Sequence, residues 1–205
     1  METIKMSYSD KQSNTEVTIE NLQEELETVK KQLEILREEN RKLKELTIRD
    51  ELTGLFNWRY FQDRLKHEVA RNIRQNHPMC LIFLDVDGLK VYNDTYGHSG
   101  GNDVLKTIAQ SIIQSIRKEV DSAYRFGGDE FAVILPEVRS DQAVSVANRI
   151  VEKLSKTEFD DVKLSFGIAE LTMDIDSEIL LKHADDAMYI AKRNLASKIH
   201  VYVNS

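Results

Sequence analysis

Asp85 and Asp87 stand out because their types and spacing suit metal-dependent chemistry. They follow the apolar run 79–84, which predicts a buried strand. Since alternate residues of a strand point to the same face, both carboxylates should share a face, with the Val86 carbonyl between them. Carboxylate and carbonyl oxygens are the ligands that Mg²⁺ prefers when it also bridges phosphates. A strand end with solvated acids is the alternative, and this segment alone leaves both open.

A second acidic pair, Asp129 and Glu130, directly follows Gly127 and Gly128. Apolar stretches on both sides predict the two strands of a hairpin. Paired glycines let a backbone approach a bulky anion and adopt positive φ angles, although an ordinary Gly-Gly hairpin with polar residues is also common. A β-α-β-β unit places the end of its first strand beside its hairpin, so both acidic pairs should converge. Crowded carboxylates repel one another unless a cation holds them.

Alternating strands and helices must position these groups. Apolar faces predict helices over 65–73, 104–116, 143–154 and 179–191, and strands over 79–85, 123–126, 131–135, 162–171 and 199–203. The order β-α-β-β-α-β predicts an α+β fold of ferredoxin-like type, with a central, mostly antiparallel sheet flanked by helices.

Residues 19–48 carry a different pattern, in which apolar residues alternate spacings of three and four and fill heptad a and d positions. Glu25 stands five residues before Lys30, the offset of g and e′ charges in parallel strands. Asn40 falls at an a position, where a buried amide favours two strands. A helix docked on the domain is the alternative, but the sustained period favours a parallel dimeric coiled coil. The a and d residues are Ile19, Leu22, Leu26, Val29, Leu33, Leu36, Asn40 and Leu43.

Composition narrows the class of protein. The chain has 205 residues, 41% hydrophobic and 31% charged, with a net charge of -7, which argues against a dedicated nucleic-acid binder. Its one cysteine, Cys80, excludes a disulfide framework and suits a reducing cytoplasm. No stretch approaches the ~20 apolar residues that span a bilayer, so we expect no membrane segment in this chain. Residues 1–18 are polar and predicted to be disordered.

Several segments together resemble the landmarks of the GGDEF family of diguanylate cyclases, in the family's order. The resemblance covers residues 49–205 as a catalytic domain and implies a palm similar to that of nucleotide cyclases. It implies condensation of two GTP into cyclic di-GMP and two pyrophosphates. The segments are Asp50-Glu-Leu-Thr-Gly-Leu-Phe-Asn57, Asp85-Val-Asp-Gly-Leu-Lys-Val-Tyr-Asn93, Tyr96-Gly-His98, Arg125-Phe-Gly-Gly-Asp-Glu-Phe131 and Ala184-Asp-Asp-Ala-Met-Tyr-Ile-Ala-Lys192.

The resemblance also implies roles for individual residues. Two Mg²⁺ ions, for which Mn²⁺ can substitute, would be held by Asp85, the Val86 carbonyl and Asp129. Asp129 would also accept the 3′-hydroxyl proton, and Glu130 would help to order the site. The remaining implied substrate-binding residues are Asp87, Lys90, Asn93, Asn102, Gly127, Gly128 and Lys192.

Each domain would hold one GTP, so a homodimer would be required to bring two nucleotides face to face. The coiled coil would supply that dimer by raising the effective concentration of the two domains toward the millimolar range. An upstream sensor domain or a protein partner would then act through the coil.

Asn102 and the segment 118–121 depart from the family pattern. Asn102 stands where Asp is usual, and an amide matches adenine as well as guanine, so a hybrid cyclase making cyclic GMP-AMP is an alternative. A catalytically silent GTP-binding module is another. The product-inhibition motif Arg-x-x-Asp is represented by Lys118 and Asp121, a degenerate site in which lysine lacks the bidentate fork. We expect product inhibition to be weak or absent and expect Arg117 to point elsewhere on its helix.

Three further residues also differ from the family. Trp58 stands where arginine is usual, and the sequence offers no mechanistic reason. Leu195 and Ala196 occupy the place of a Gly-Arg pair, so a phosphate-binding arginine is missing and Lys198 is its candidate substitute.

Overall fold

The computed structural model describes residues 22–40, 47–159, 161–194 and 196–203. The chain divides into two compact units after Thr47. The polar segment predicted over residues 1–18 lies outside the described residues, as do the heptad positions Ile19 and Leu43. Among the described helices, none is long and apolar enough to cross a membrane.

Residues 22–40 form a helix, α1, as the heptad pattern predicts. The a and d side chains are exposed, with Leu33 at 45% and Leu36 at 62% of their full surface. Ile35, outside the heptad seam, is also exposed. A single α1 therefore presents a continuous apolar stripe, and its pairing with a second copy stays a prediction.

The second unit is built on a six-stranded sheet. Its order is β1-β3-β4-β2-β5-β6, with antiparallel β3/β4, β4/β2 and β2/β5 pairs and parallel pairs at both edges. The predicted α+β fold with a mostly antiparallel sheet is confirmed. The strands are β1 Phe56–Asn57, β2 Met79–Asp87, β3 Ser122–Gly127, β4 Glu130–Pro136, β5 Lys163–Glu170 and β6 Ile199–Val201.

Four helices cover the two faces of the sheet: α2 Trp58–Gln75, α3 Leu89–Ile113, α4 Ser140–Leu154 and α5 Ser177–Arg193. Alternate residues of β2 enter two separate apolar clusters, Ile82 and Leu84 with α3 and α4, and Leu81 and Phe83 with α2 and α5. Because β2 is buried on both faces, it reads as a continuous apolar run rather than an alternating one. Packing on both faces therefore fixes the position of β2, at whose end Asp85 and Asp87 lie.

The start of α2 and a kink within α3 each depend on one residue. Asn57 caps α2 because its side chain accepts from the Tyr60 N–H at 3.1 Å. Gly97 interrupts α3 with φ 77° and ψ 165°, a conformation that a side chain would disfavour. α3 is therefore two helical segments joined at a kink, and the residues on either side of Gly97 are brought together.

The structure adjusts several predicted bounds. α3 starts at Leu89 rather than at 104 and ends at Ile113, so Ile116 lies beyond it. α2 begins at Trp58, seven residues before the predicted apolar face, and its buried Phe61 extends that face by one turn before Leu65. The two-residue strand β1 was not predicted, since it is too short to show alternation.

Candidate active site

The two acidic pairs meet where β2 and β4 lie side by side. Asp85 is directly opposite Glu130 in the antiparallel register. The Val86 N–H donates to the Asp129 carbonyl at 3.1 Å, which ties the end of β2 to the turn between β3 and β4. The expected convergence of the two clusters is therefore present, and it is produced by strand pairing.

Lysines from the C-terminal part of the chain form ion pairs with Asp85 and Asp87. Lys192, in the last turn of α5, donates to Asp85 at 2.7 Å. Lys198 lies 3.0 Å from Asp87, and its ammonium also donates to the Lys192 carbonyl at 3.1 Å. The Ser165 hydroxyl on β5 donates to Asp87 at 2.9 Å. Asp87 is thus held by β5 and Lys198, whereas Asp85 is aimed toward the hairpin and Lys192.

The acids disfavour one another's ionisation. Burial, and beyond it repulsion by Asp129 and Asp87, raises the pKa of Asp85, against the lowering effect of Lys192. Burial, followed by repulsion from Asp85 and Asp129, likewise raises the pKa of Glu130. The hydrogen bond to Asp85 raises the pKa of Lys192. The site therefore carries more negative charge than its protein partners neutralise.

This donor set fits a divalent cation. Asp85 is 5% exposed, and the adjacent Val86 N–H bonds to the Asp129 carbonyl, so hard oxygen donors of the kind that bind Mg²⁺ lie near one another. Within the described part of the chain, no three His, Cys, Asp or Glu side chains gather into a metal-binding group. The donors that the sequence predicted are instead two carboxylates and a backbone carbonyl, a set small enough to need phosphate oxygens of a substrate to complete a metal's coordination.

The segment 127–130, here named the signature turn, has open space above its backbone. Gly128 has φ +46°, and a Cβ added at Gly127 or Gly128 would meet no described heavy atom within 4 Å beyond its chain neighbours. Phe126 lies at a register shift between β3 and β4, and its ring is 3.8 Å from that of Trp58. Trp58 therefore anchors the strand leading into the turn, a role that the sequence did not suggest.

Asn93 and Asn102 lie on the two segments of α3 that meet at the Gly97 kink. The Asn93 Oδ1 is buried without a hydrogen-bond partner among the described residues. It packs on Gly101, where an added Cβ would overlap it. Asn102 and Lys90 are exposed. The Asn93 side chain therefore has an unsatisfied acceptor, which a polar ligand edge would reach once that side chain rotates away from Gly101.

The degenerate inhibitory segment differs from expectation. Arg117 does not point away; its backbone N–H and guanidinium Nη2 each donate to Asp121 at 2.7 Å. The same Nη2 donates to the Pro136 carbonyl at 2.6 Å. Because α3 ends at Ile113, residues 114–121 turn back on themselves instead of continuing a helix. Lys118 is exposed, and Asp121 is already engaged.

Sequence reasoning missed two groups. Arg125 contacts the signature turn, and Ser165 holds Asp87. A single serine on a strand belongs to no sequence pattern that would mark it as a site residue. Lys198 was a candidate phosphate ligand, but here it pairs with Asp87, while Leu195 lies outside the described residues.

Comparison with known proteins identifies the family of the chain. The family profile described as "Diguanylate cyclase, GGDEF domain" matches residues 47–198. The chain belongs to the GGDEF family. It is 34% identical over 160 residues to diguanylate cyclase DosC of Escherichia coli K12, covering 75% of this chain and 35% of DosC. It is 35% identical over 157 residues to the response regulator PleD of Caulobacter vibrioides, covering 72% of this chain and 34% of PleD. The chain thus spans about a third of the length of these curated relatives.

Solved structures share the fold. A crystal structure of the coiled coil and GGDEF domain of DgcB from Caulobacter crescentus, in complex with c-di-GMP, matches with a TM-score of 0.76 and 27% identity, covering 88% of this chain and 98% of that one. A crystal structure of diguanylate cyclase SiaD from Pseudomonas aeruginosa, in complex with its activator SiaC, matches with a TM-score of 0.79 and 31% identity. The match covers 96% of this chain and 78% of the SiaD chain.

Proposed function

We propose that this chain is a diguanylate cyclase that condenses two GTP into cyclic di-GMP and two pyrophosphates. The observation that carries the proposal is the pairing of Asp85 with Glu130, which gathers acids beside the open signature turn. Family membership and the retention of Asp85, Asp129 and Glu130 support an active enzyme over a silent binding module.

Each condensation step forms a bond between a ribose 3′-oxygen and an α-phosphorus and breaks the bond to pyrophosphate. Bound Mg²⁺ would supply positive charge for the triphosphate and lower the pKa of the 3′-hydroxyl. In this chain Asp85, Asp129 and the Val86 carbonyl would hold it, with two ions per site as the family implies. Asp129 would accept the 3′-hydroxyl proton and Glu130 would order the acids around it.

Positive and polar side chains would then orient the nucleotide. Lys192 would exchange part of its contact with Asp85 for the triphosphate once a metal neutralises that acid, and Lys90 would approach from α3. Asn93 and Asn102 would meet the base, and the Asn93 side chain would rotate away from Gly101 to let its unpartnered Oδ1 accept from the base. Positioning and electrostatics supply most of the catalysis in such transfers.

The reaction needs two domains, since each 3′-oxygen must reach the other nucleotide. We propose a parallel homodimer through α1, supported by its exposed heptad stripe and by the coiled coil named in the DgcB structure. The complex of SiaD with an activator supports a further element, a protein partner that acts on this chain. Each domain would contribute half of the reaction centre.

Product identification by mass spectrometry tests the activity. Purified chain with Mg²⁺ is given GTP alone, ATP alone, and both. We expect cyclic di-GMP from GTP and no product from ATP alone. Asn102→Asp should lower any mixed cyclic GMP-AMP made with both nucleotides, because a carboxylate cannot donate to adenine.

Asp129→Asn should abolish product, and Asp63→Asn on the exposed face of α2 is the matched control for a lost carboxylate. Full cyclic dinucleotide synthesis by the Asp129 variant would refute the metal assignment. Absence of pyrophosphate release by the unmodified chain, under conditions where it is a dimer, would favour the silent module.

A further inference from the structure

Arg125, on β3, donates hydrogen bonds to the signature turn of the β3/β4 hairpin. Its Nη2 donates to the Gly128 carbonyl at 2.6 Å and its Nε donates to the same oxygen at 3.2 Å. Both contacts converge on the residue immediately before Asp129. Since Gly128 has φ +46° and open space above it, its own packing does little to fix the orientation of this peptide. The guanidinium therefore sets the direction in which the chain enters Asp129.

The other end of the same guanidinium is tied to a turn at the start of the domain. Arg125 Nη1 donates to Asp50 Oδ1 at 3.2 Å, and the side chains are 14% and 24% exposed. Asp50 begins the segment 50–55, here named the leading turn, in which the Asp50 N–H donates to the Leu55 carbonyl at 2.8 Å and the Gly54 N–H donates to the Asp50 carbonyl at 2.9 Å. A planar guanidinium can donate hydrogen bonds to both turns at once, which the single ammonium of a lysine cannot do in the same geometry.

Asp50 is itself held in place. Its Oδ1 accepts from the Thr53 hydroxyl at 2.6 Å and from the Thr53 N–H at 2.9 Å. Burial alone would raise the pKa of Asp50, but the Thr53 hydrogen bonds and the Arg125 charge outweigh it and lower that pKa. Asp50 is thus a fixed anion that restricts the rotamers of Arg125.

We propose that Arg125 is a positioning residue for the reaction, clamping the Gly128 carbonyl to the leading turn through Asp50. The inference rests on the proposed function and adds a residue pair to it. In the chain, the leading turn directly follows residue 49, so the clamp joins the segment by which the domain is entered to the turn that carries Asp129. A displacement of the leading turn would therefore be transmitted through the guanidinium to the Gly128 peptide.

Asp50→Asn is the decisive variant, because it cancels the charge facing Arg125 while its amide oxygen can still accept from Thr53. We expect kcat to fall by about tenfold or more, while KM for GTP stays within about twofold, because the group affected orients reacting atoms without binding substrate. Arg125→Lys should show the same split. The double variant should be no worse than Arg125→Lys alone, since both changes break one linkage.

Arg49→Gln is the matched control. Arg49 also donates to the leading turn, to the Gly54 carbonyl at 2.8 Å, and its guanidinium lies 4.5 Å from the Phe56 ring centre, but it does not touch the signature turn. It should retain kcat within about twofold. If it loses kcat as Asp50→Asn does, the clamp is overturned in favour of general loosening of the leading turn.

Amide hydrogen exchange of residues 127–130 in the full chain gives a readout independent of turnover. Asp50→Asn and Arg125→Lys should speed exchange there while the midpoint of thermal unfolding stays near that of the unmodified chain. Unchanged exchange, or unchanged kcat in both variants, overturns the proposal. If the unmodified chain makes no cyclic dinucleotide, the proposed function fails while the exchange measurement still decides whether the clamp exists.

Discussion

Lys192 donates to Asp85 at 2.7 Å across 107 residues of sequence, joining the last turn of α5 to the end of the central strand. Asp85 is only 6% exposed at its side chain, whereas Lys192 is 43% exposed. A largely buried anion thus depends on one reachable cation. The same lysine is the one we expect to contact the triphosphate, so we expect it to exchange partners when metal and nucleotide bind.

Lys192→Gln should destabilise the metal-free protein by about 1–3 kcal/mol at neutral pH, because Asp85 loses its charged partner. Mg²⁺ should then stabilise the variant more than the unmodified chain, since the cation takes the place of the ammonium. Urea unfolding with and without Mg²⁺ measures both effects. Lys106→Gln, which breaks the exposed pair with Asp103, is the control and should change stability by less than about 0.5 kcal/mol. Equal responses of the two variants would contradict the dependence of Asp85 on Lys192.

Glu130→Gln should stabilise the metal-free protein at neutral pH. A carboxyl whose pKa is higher in the folded than in the unfolded chain costs stability as pH rises from the unfolded value, about 4.3, through the raised one. Removing that charge should therefore add roughly 0.5 kcal/mol at pH 7, kept small because Glu130 is partly exposed, and nothing near pH 3. Denaturant unfolding of both proteins across this pH range checks the sign. A variant that is less stable at pH 7 would show that Glu130 is satisfied without a metal.

Leu33→Asp should dissociate the proposed dimer, because a charge at an a position must be buried in the seam. Cyclase activity should then rise steeply with protein concentration and be low at nanomolar chain, as measured by initial rates and by sedimentation. Ile35→Asp introduces the same residue on the same helix outside the seam and should leave both properties unchanged. Dissociation by both variants would mean that α1 pairs through a different face.

Cyclic di-GMP should inhibit the enzyme weakly, since Lys118 is exposed and Asp121 is held by Arg117. Lys118→Arg alone should restore little inhibition, because Asp121 would have to release its existing partner. Arg117→Ala with Lys118→Arg should restore more, although loss of the Arg117 contact to the Pro136 carbonyl should lower the thermal midpoint. Product titration of initial rates measures this. Strong inhibition of the unmodified chain would show that Asp121 exchanges partners readily.

The acidic pairs, the hairpin and the heptads could be predicted because each is local. Alternation places Asp85 and Asp87 on one face, and the glycines mark the turn before Asp129, whatever the rest of the chain does. The α+β fold followed from apolar periodicity. These features are encoded by neighbours within a few residues.

The direction of the Arg117 side chain could not be predicted correctly from local sequence. Its direction was predicted from a helix that stops at Ile113, and helix ends depend on tertiary contacts that periodicity does not record. Likewise, the sequence predicted a helix only from residue 104, whereas α3 begins at Leu89 and contains the kink at Gly97. Both outcomes altered which side chains face the proposed nucleotide and inhibitory sites.

The sequence by itself determined the donor types, the acidic pairs at strand and turn, and the heptad stripe, since these depend on composition and short-range period. Only the tertiary structure decided that Asp85 faces Glu130, that Lys198 serves Asp87, and that Arg125 ties the signature turn to Asp50. Strand register and long-range ion pairs arise from packing two apolar layers on one sheet, and no short segment contains that information.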